Sequence, residues 1–287
     1  MNNQSLEIVL SGSEFDDEKN LYLMIEALNN LNRVVEKSYL TINNKKRMSE
    51  KDREVFQLKA REFKDGSLVI GLGMYVSALT QSSMFNTLTL SPTDIWVLVK
   101  DGYRFLKHVL KAHSEGRPIE MKGDNNMLVV VTGDNNKVEF HPEVIPYLNT
   151  SEQNFERLSK LVDPEKGVNG FSLSSEEQTD KITFSEEEKT LFESKTRIEN
   201  EIIKIKAKIF DLNANDCTGE LEVIDSDDVD VREGSFCKFD FVDKEKDHEF
   251  LSEIFLREIQ LFALKETTFN PVTLEKEIKK LSIVNIE

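Results

Sequence analysis

The chain has 287 residues, of which 39% are hydrophobic and 31% are charged; this balance supplies enough apolar surface for a core and excludes global disorder. Its formal net charge of −16 repels polyanions and anionic lipid at long range, which disfavours nucleic acid and membranes as partners. The sequence has no run of about 18 apolar residues, no basic-then-apolar leader and no CxxC motif, so it predicts a cytoplasmic protein in a reducing compartment.

Residues 1–90 predict a small α+β unit. Its first strand is predicted in LEIVL, residues 6–10. Asp16 and Asp17 then open an amphipathic helix, because apolar residues follow them at intervals close to 3.6 and an acidic first turn suits the helix dipole. A β-hairpin with Asp65-Gly66 at its turn follows. The predicted order is therefore strand, helix, strand, strand (βαββ), with the helix on one face.

Residues 91–195 are predicted to contain a linking helix, a β-meander and further helices. Ser91 is the expected N-cap, Pro92 the first helical residue and Asp94 an acid of the first turn. Trp96 is the single tryptophan and lies off the main apolar stripe of this helix. It either covers a neighbouring domain or serves as an exposed anchor for a partner.

The clearest sequence pattern lies in residues 122–140, which contain GDNN twice. Gly and Asn tolerate positive φ, and Asp and Asn bond their own backbone, so each GDNN is good turn chemistry between strand-like flanks. A calcium loop needs alternating oxygen ligands and a following glutamate, which this pattern lacks. Consecutive turns of an antiparallel meander lie at opposite ends, so they cannot share one ligand. As exposed loop tips they are candidates to contact a protein partner: Asp124, Asn125, Asp134 and Asn135.

Short elements are predicted after the meander. A helix is expected over about residues 151–162, because Thr150 and Gln153 have capping-box spacing. Two short strands in FSLSS and DKITF follow, and a second capping box joins Ser185 to Glu188 at the start of a short helix.

Residues 196–287 alternate apolar and polar side chains and predict a small β-barrel of OB or SH3-like type. A first long strand places its isoleucines on one face and Lys204, Lys206 and Lys208 on the other. Further strands are predicted in GELEVI, SFCKFDFV, IFLREIQLFAL and SIVNI. The segment TLEKEIKKL is predicted to be a helix capped by Thr273.

The stripe of Lys204, Lys206 and Lys208 supports an alternative function, nucleic-acid binding by the barrel. The neighbouring strand places Glu220 and Glu222 where they can lie opposite these lysines. No aromatic residue is expected to alternate with the lysines and stack on bases. Cross-strand charge pairing is therefore the preferred interpretation.

A metal-dependent hydrolase is the third hypothesis. Glu139 and His141 alternate and could share one strand face with Glu143, but Pro142 is expected to end the strand, and a metal needs three or four converging ligands. The GLG at residues 71–73 lacks the third glycine of a nucleotide fingerprint and favours close strand packing. No Ser/His/Asp or Cys/His arrangement has recognisable spacing. The sequence thus predicts no metal centre and no cofactor, and it favours a non-enzymatic protein.

The features in order are a βαββ start ending in GSLVI, a PTDIW helix, the GDNN meander followed by a helix, DPEKGVNGF, and a small C-terminal barrel. In this order the chain resembles uncharacterised bacterial accessory proteins from mobile-element and phage-defence gene neighbourhoods. The resemblance implies an accessory, non-enzymatic role and carries no catalytic residues. The leading hypothesis is an adaptor, sensor or inhibitor that binds another protein or itself as a homo-oligomer, with bacterial anti-phage defence as its setting.

Overall fold

The computed structural model describes residues 2–15, 20–64, 68–76, 91–124, 127–133, 136–175, 181–193, 195–243 and 248–287. The chain divides into two compact units, Met1–Glu193 and Ser194–Glu287. Helices and several antiparallel sheets make it a mixed α+β protein, as predicted. One sheet of the first unit takes strands from both of the predicted segments 1–90 and 91–195, and the predicted three-part division of the chain stays a prediction.

The first unit contains two antiparallel sheets and a layer of helices. Its strands are β1 Asn2–Ser11, β2 Phe56–Lys64, β3 Leu68–Val76, β4 Ile119–Asp124, β5 Met127–Thr132, β6 Asn136–Phe140, β7 Gly170–Ser175 and β8 Lys181–Phe184. Its helices are α1 Leu21–Ile42, α2 Glu50–Val55, α3 Pro92–Ser114, α4 Val144–Lys160 and α5 Glu186–Phe192. The strand orders are β2-β3-β1-β7-β8 and β4-β5-β6. Among the helices in the described residues, none has a stretch long and apolar enough to cross a bilayer.

Helices α1, α3 and α4 pack together through buried side-chain to backbone hydrogen bonds. Ser38 Oγ of α1 donates to the Ile95 carbonyl of α3 at 2.9 Å, and Tyr147 Oη of α4 donates to the Val34 carbonyl of α1 at 3.2 Å. A Cβ added at Gly102 of α3 would lie 2.6 Å from the Tyr147 ring. The close approach of α3 and α4 therefore depends on the missing side chain at this position.

Helix α1 begins later than the sequence pattern indicates. Its N-cap is Asn20, whose side chain accepts a hydrogen bond from the backbone three residues on, and its first helical residue is Leu21. Asp16 and Asp17 lie outside the described residues. Leu21 and Ile25 belong to the predicted apolar stripe but are exposed, so this stripe meets the core only along the later turns of the helix.

The predicted hairpin is present as antiparallel β2 and β3, and its turn at residues 65–66 lies outside the described residues. The GLG motif lies inside β3. A Cβ at Gly73 would lie 2.5 Å from Nε of Arg61, which sits at a register shift of β2. Close strand packing explains this glycine, as predicted.

Helix α3 begins as predicted, with a capping box. Asp94 N–H donates to Ser91 Oγ at 3.2 Å, and the Ser91 N–H donates to the Asp94 carboxylate at 3.0 Å. The second predicted box also forms, between Ser185 and Glu188 at the start of α5. Local capping chemistry was therefore readable from the sequence at these two helices.

Helix α4 contains most of the helix predicted over residues 151–162 but begins earlier. It begins at Val144 and includes Pro146, which is tolerated there because the N–H groups of a first helical turn have no intrahelical partner. Thr150 lies inside the helix, where its Oγ1 donates to the Tyr147 carbonyl at 3.1 Å. The predicted capping box at Thr150 is therefore wrong.

In the second unit, five strands close into a barrel. They are β9 Arg197–Asn213, β10 Thr218–Ser226, β11 Phe236–Phe241, β12 Glu258–Phe269 and β13 Lys276–Ile286, with helix α6 His248–Ile254 between β11 and β12. The order is β10-β11-β13-β12-β9, and β9 pairs back to β10. β11 and β13 pair in parallel, whereas the other four strand pairs of the described barrel are antiparallel. The interior contains, among others, Ile203, Ile205, Ala207, Ile209, Leu221, Val223, Phe239, Phe241, Leu261 and Leu281.

Two predictions for this unit are wrong. The predicted helix capped by Thr273 is instead the start of β13, whose Leu281 and Ile283 are buried in the barrel. Its apolar spacing suits a helix, but pairing with two neighbouring strands outweighs that local preference. The strand predicted in IFLREIQLFAL also starts late, because α6 extends to Ile254 and β12 begins only at Glu258.

Candidate protein-docking face

The GDNN segment folds into the predicted three-stranded meander, and its inner face packs on α3. Val130 and Phe140 of the meander are fully buried. The Phe140 ring meets the Phe105 ring of α3 edge-to-face at 5.5 Å, and the Arg104 guanidinium lies 5.7 Å from the Phe140 centroid. These contacts hold the small sheet on a long helix.

Polar contacts also fix the meander to α3. His108 Nε2 and Thr132 Oγ1 are 3.2 Å apart, and the His141 N–H donates to Asp101 Oδ2 at 2.9 Å. Burial lowers the pKa of His108, and the positive charge of Arg117 lowers it further. The imidazole is therefore neutral at pH 7 and can share a hydrogen bond with the threonine hydroxyl.

The outer face of the meander carries side chains that alternate with the buried ones. Its centre strand contributes two partly exposed valines, and the two edge strands contribute charged side chains. We call this surface the outer meander face, and it consists of Val129, Val131, Glu120, Lys122, Lys137 and Glu139. Four of these six residues are lysine or glutamate, so the face combines an apolar centre with charged corners.

The charges of this face follow a checkerboard. In one row across the sheet, Val131 lies between an acid on β4 and a base on β6; in the next row, Val129 lies between a base on β4 and an acid on β6. Neighbouring corners therefore have opposite charge and diagonal corners have like charge. Along β4, Lys122 Nζ lies 2.7 Å from Glu120 Oε2. The hydrogen bond from Lys122 and its charge lower the pKa of Glu120.

The long charged side chains and the short valines make the face a shallow depression of about 460 Å³. It is lined by Pro118, Glu120, Lys122, Gly123, Val129, Val131, Gly133 and Lys137. Among these lining residues none is a nucleophile of the serine, cysteine or histidine type. Their chemistry suits binding, with an apolar floor to bury and charges to orient a partner.

Of the four predicted partner contacts in the GDNN turns, the described part of the chain includes only Asp124. Asp124 is the last residue of β4 and pairs with Met127. Asn125, Asp134 and Asn135 lie outside the described residues. The antiparallel order β4-β5-β6 places the two turns at opposite ends of the meander, as predicted. Their role in binding a partner stays a prediction.

Trp96 does not offer a surface anchor. It is 3% exposed and lies in the buried part of α3. The prediction of an exposed tryptophan is wrong, because other faces of α3 besides the main apolar stripe are also covered by packing. The alternative prediction, that this ring covers a neighbouring domain, stays a prediction.

Lys204 and Lys206 of the lysine stripe on β9 are exposed and Lys208 is partly buried, and acids accompany the stripe. Lys206 Nζ lies 2.7 Å from Glu258 Oε2, and Lys204 Nζ lies 3.5 Å from the Glu287 side chain. The hydrogen bond to Glu258 raises the pKa of Lys206. Carboxylates from β12 and the chain's last residue, more than those of the predicted hairpin partner, therefore offset these charges.

Of the two glutamates predicted to lie opposite lysines across the hairpin, one does so. Glu222 lies opposite Lys208 as predicted, whereas Glu220 lies opposite Asp211. Because Glu222 already pairs with Lys208, Glu220 lies beyond the end of the lysine stripe, and a register shift between Glu220 and Leu221 places it opposite Asp211. A bulge of this kind cannot be read from alternation alone, because it adds one residue to one strand.

Aromatic residues do accompany the lysines, contrary to the prediction. Phe210 is the next outward residue of β9 after Lys208, and its ring meets the Phe236 ring of β11 edge-to-face at 5.5 Å. Phe236 is 69% exposed. On the other side, Lys204 Nζ lies 5.6 Å from the Phe262 centroid. The alternation of β9, continued by two residues, would have revealed Phe210.

Glu139 and His141 do not form a metal centre with Glu143. The Glu143 N–H donates to His141 Nδ1 at 3.1 Å, which occupies that ring nitrogen, and Glu139 is an exposed corner of the outer meander face. Within the described ranges, no three His, Cys, Asp or Glu side chains converge as a metal site would require.

A buried ionic cluster lies in the barrel. Lys265 of β12 is 4% exposed. Its Nζ lies 2.7 Å from Asp228, 3.2 Å from Asp230 and 3.3 Å from Glu199. Burial lowers the pKa of Lys265, but hydrogen bonds to the three carboxylates outweigh burial and raise it above its usual range. The ammonium is a poor nucleophile in this state, so it acts as a cross-link between β12, β9 and the β10–β11 loop.

No family model, curated protein or solved structure matches the chain. The outer meander face combines an apolar centre with regularly placed charges, and its sheet is firmly attached to the core of the first unit.

Proposed function

We propose that the protein is a non-enzymatic interaction module, an adaptor, sensor or inhibitor, which binds a protein chain on the outer meander face. One observation carries the proposal: two partly exposed valines lie in the middle of a ring of alternating charges on a sheet that α3 supports from behind. Burying the valines supplies the favourable free energy, and the charges select and orient the partner.

The size of the face limits the affinity. Three strands about 4.8 Å apart and about six residues long give a footprint of roughly 300 Å². Stable interfaces bury about 800 Å² per partner. We therefore expect a weak, reversible complex, unless the GDNN turns at both ends of the sheet enlarge the contact.

Site-specific photocrosslinking tests the docking face. A photoreactive amino acid at position 137 is expected to give a discrete cross-linked product in cells of the native host, and the double variant Val129→Asp/Val131→Asp is expected to lose it. The same amino acid at position 279, an exposed lysine of β13, is the matched control. The proposal fails if position 137 gives no product, or if both positions give the same products.

We propose bacterial anti-phage defence as the setting, on the resemblance to accessory proteins of phage-defence neighbourhoods. Plaque counts on cells that carry the chain together with its neighbouring genes test this setting. Protection is expected to require the chain and to be lost in the Val129→Asp/Val131→Asp variant. Equal plaque counts with and without the chain would exclude defence while leaving the docking face to the crosslinking test.

Single-stranded nucleic-acid binding by the C-terminal barrel is the second candidate. It is favoured by the exposed Phe236, which meets Phe210 edge-to-face beside Lys208, since aromatic rings with nearby cations can stack on bases. We propose an OB-type barrel, which a five-stranded closed sheet with a helix between its third and fourth strands supports. Against binding, residues 194–287 hold 14 Lys and Arg against 22 Asp and Glu, a net charge of −8.

Fluorescence anisotropy with labelled single-stranded DNA and RNA separates the two candidates. Salt-sensitive binding that weakens in Phe236→Ala and in Lys206→Glu would favour the barrel. Val229→Ala, at an exposed loop valine, is the matched control. Unchanged anisotropy at low ionic strength would remove this candidate.

A further inference from the structure

The charges on the outer meander face are arranged so that the face is complementary to itself. The two acids occupy one diagonal, Glu120 on β4 and Glu139 on β6, and the two bases occupy the other, Lys122 on β4 and Lys137 on β6. The valine stripe runs along β5 between them. A second copy can approach such a face by a two-fold rotation about an axis lying in the plane between the sheets.

A two-fold axis parallel to β5 brings β6 of one copy over β4 of the other. Lys137 of the second copy then faces Glu120, and Glu139 of the second copy faces Lys122. Because the contact is isologous, the reciprocal pairs form as well. Every charged corner meets an opposite charge, and the valine stripes of the two copies stack on each other.

A two-fold axis perpendicular to β5 gives the same result. It brings Lys122 of the second copy over Glu120 and Glu139 of the second copy over Lys137. Complementarity about both axes requires like charges on the diagonals. If both acids lay on one edge strand, only the axis parallel to β5 would pair opposite charges, and the other axis would place acid on acid.

We infer that the outer meander face binds a second copy of this chain and forms a symmetric homodimer. The inference rests on the proposed docking function and names its partner. Two sheets that pack face to face lie about 10 Å apart, a distance at which valines from both sheets come into contact.

The dimer is expected to be weak. In the single chain Lys122 already pairs with Glu120 at 2.7 Å, so forming the dimer exchanges one exposed ion pair for another. Exposed pairs contribute little net free energy, and the footprint of roughly 300 Å² is small. The corner charges therefore set the geometry and exclude wrong partners, and the valines provide most of the attraction.

Charge-swapped variants of the full chain test the inference by sedimentation velocity. Lys122→Glu/Lys137→Glu makes all four corners acidic, and Glu120→Lys/Glu139→Lys makes all four basic. Each variant alone is expected to self-associate at least tenfold more weakly than the wild type. An equimolar mixture of the two is expected to recover dimers, because every acid again meets a base. Lys204→Glu/Lys206→Glu changes the net charge equally on β9 and is expected to leave dimerisation within about twofold of the wild type.

Three outcomes would overturn the inference: a wild type that stays monomeric at the highest accessible concentration, charge-swapped variants that dimerise as well as the wild type, or a mixture that forms no heterodimer. Failure of the proposed function is distinguishable. If position 137 crosslinks to a different protein while the purified chain is monomeric, docking stands and self-pairing falls. If position 137 gives no product and the chain is monomeric, both fall.

Discussion

Lys265 occupies a position at which strand alternation would place an apolar side chain. Leu261 and Ala263 precede it on the inward face of β12, and both are fully buried. A lone buried ammonium would cost several kcal/mol, and the cost is offset here because carboxylates from two other parts of the barrel converge on it. The charge therefore fixes the β10–β11 loop more than it adds stability.

Replacing Lys265 by methionine is expected to destabilise the second unit by about 3 kcal/mol, because Asp228 would stay partly buried without its counter-ion. Hydrogen exchange read by mass spectrometry checks this, since it reports the two units separately; faster exchange is expected in β12 and in the β10–β11 loop. Lys279→Met removes an ion pair with Glu277 in which both side chains are nearly half exposed, and it should cost at most about 0.5 kcal/mol. Equal exchange in both variants would show that the Lys265 cluster does not stabilise the barrel.

His108 gives the first unit a pH dependence near neutrality. Its folded-state pKa lies below the ordinary value because of burial and Arg117. The folded state therefore binds protons more weakly than the unfolded state, so the stability contribution is complete above about pH 6.5 and declines as the pH falls towards the folded pKa.

An NMR titration of the His108 ring is expected to show a pKa below about 6.5, with the urea-unfolded chain as the reference. His108→Gln is expected to flatten the loss of first-unit stability between about pH 7 and pH 5. A ring that titrates at or above its unfolded value would contradict the buried, threonine-bonded imidazole.

At the scale of elements, the sequence was informative wherever a short stretch decides the structure. Ser91 and Ser185 cap their helices because the cap and its acidic partner are three residues apart. The two GDNN turns predict the meander because each turn has its own chemistry. Alternation in β9 correctly predicts the inward isoleucines and the outward lysines.

Where segments far apart in the chain determine the structure, the sequence was not informative. The pairing of β1 with β7 joins the two ends of the first unit, and no local pattern specifies it. The parallel pairing of β11 with residues 281–283 of β13 likewise joins strands that are not neighbours in the chain. The candidate site could be predicted only in part. Alternation predicts which charged side chains lie on the outer meander face, but their checkerboard arrangement depends on the strand register, which no local pattern gives.

The closing strand β13, whose first half was predicted to be a helix, gives a direct test of strand against helix. Leu281 pairs in register with Phe239 on one side and Lys265 on the other. Leu281→Ala and Ile283→Ala are each expected to cost about 2 to 4 kcal/mol, because both side chains are buried in the barrel. Denaturant unfolding of the full chain measures the cost, and Lys279→Ala is the exposed control. A helix would turn residues 281 and 283 to different faces, so a cost at only one of them would contradict the strand.

Charge affects the association of two copies of the chain on two length scales. Residues 1–193 hold 23 Lys and Arg against 31 Asp and Glu, and residues 194–287 hold 14 against 22, so each unit has a net charge of −8. Two copies therefore repel each other at long range. The corner pairs of the outer meander face attract only at contact distance.

Salt separates these two effects, which leads to a last prediction. The Debye length is about 30 Å at 0.01 M salt, about 8 Å at 0.15 M and about 3 Å at 1 M. Raising salt from 0.01 M to 0.15 M is expected to strengthen dimerisation, because long-range repulsion is screened before the corner pairs are. Further salt weakens the corner pairs and leaves the valine contact. Sedimentation across this range should therefore show tightest association at intermediate salt, and the all-acidic variant Lys122→Glu/Lys137→Glu should instead associate more strongly as salt rises throughout. Wild-type dimerisation that only weakens with salt would mean that long-range attraction, rather than this face, brings the copies together.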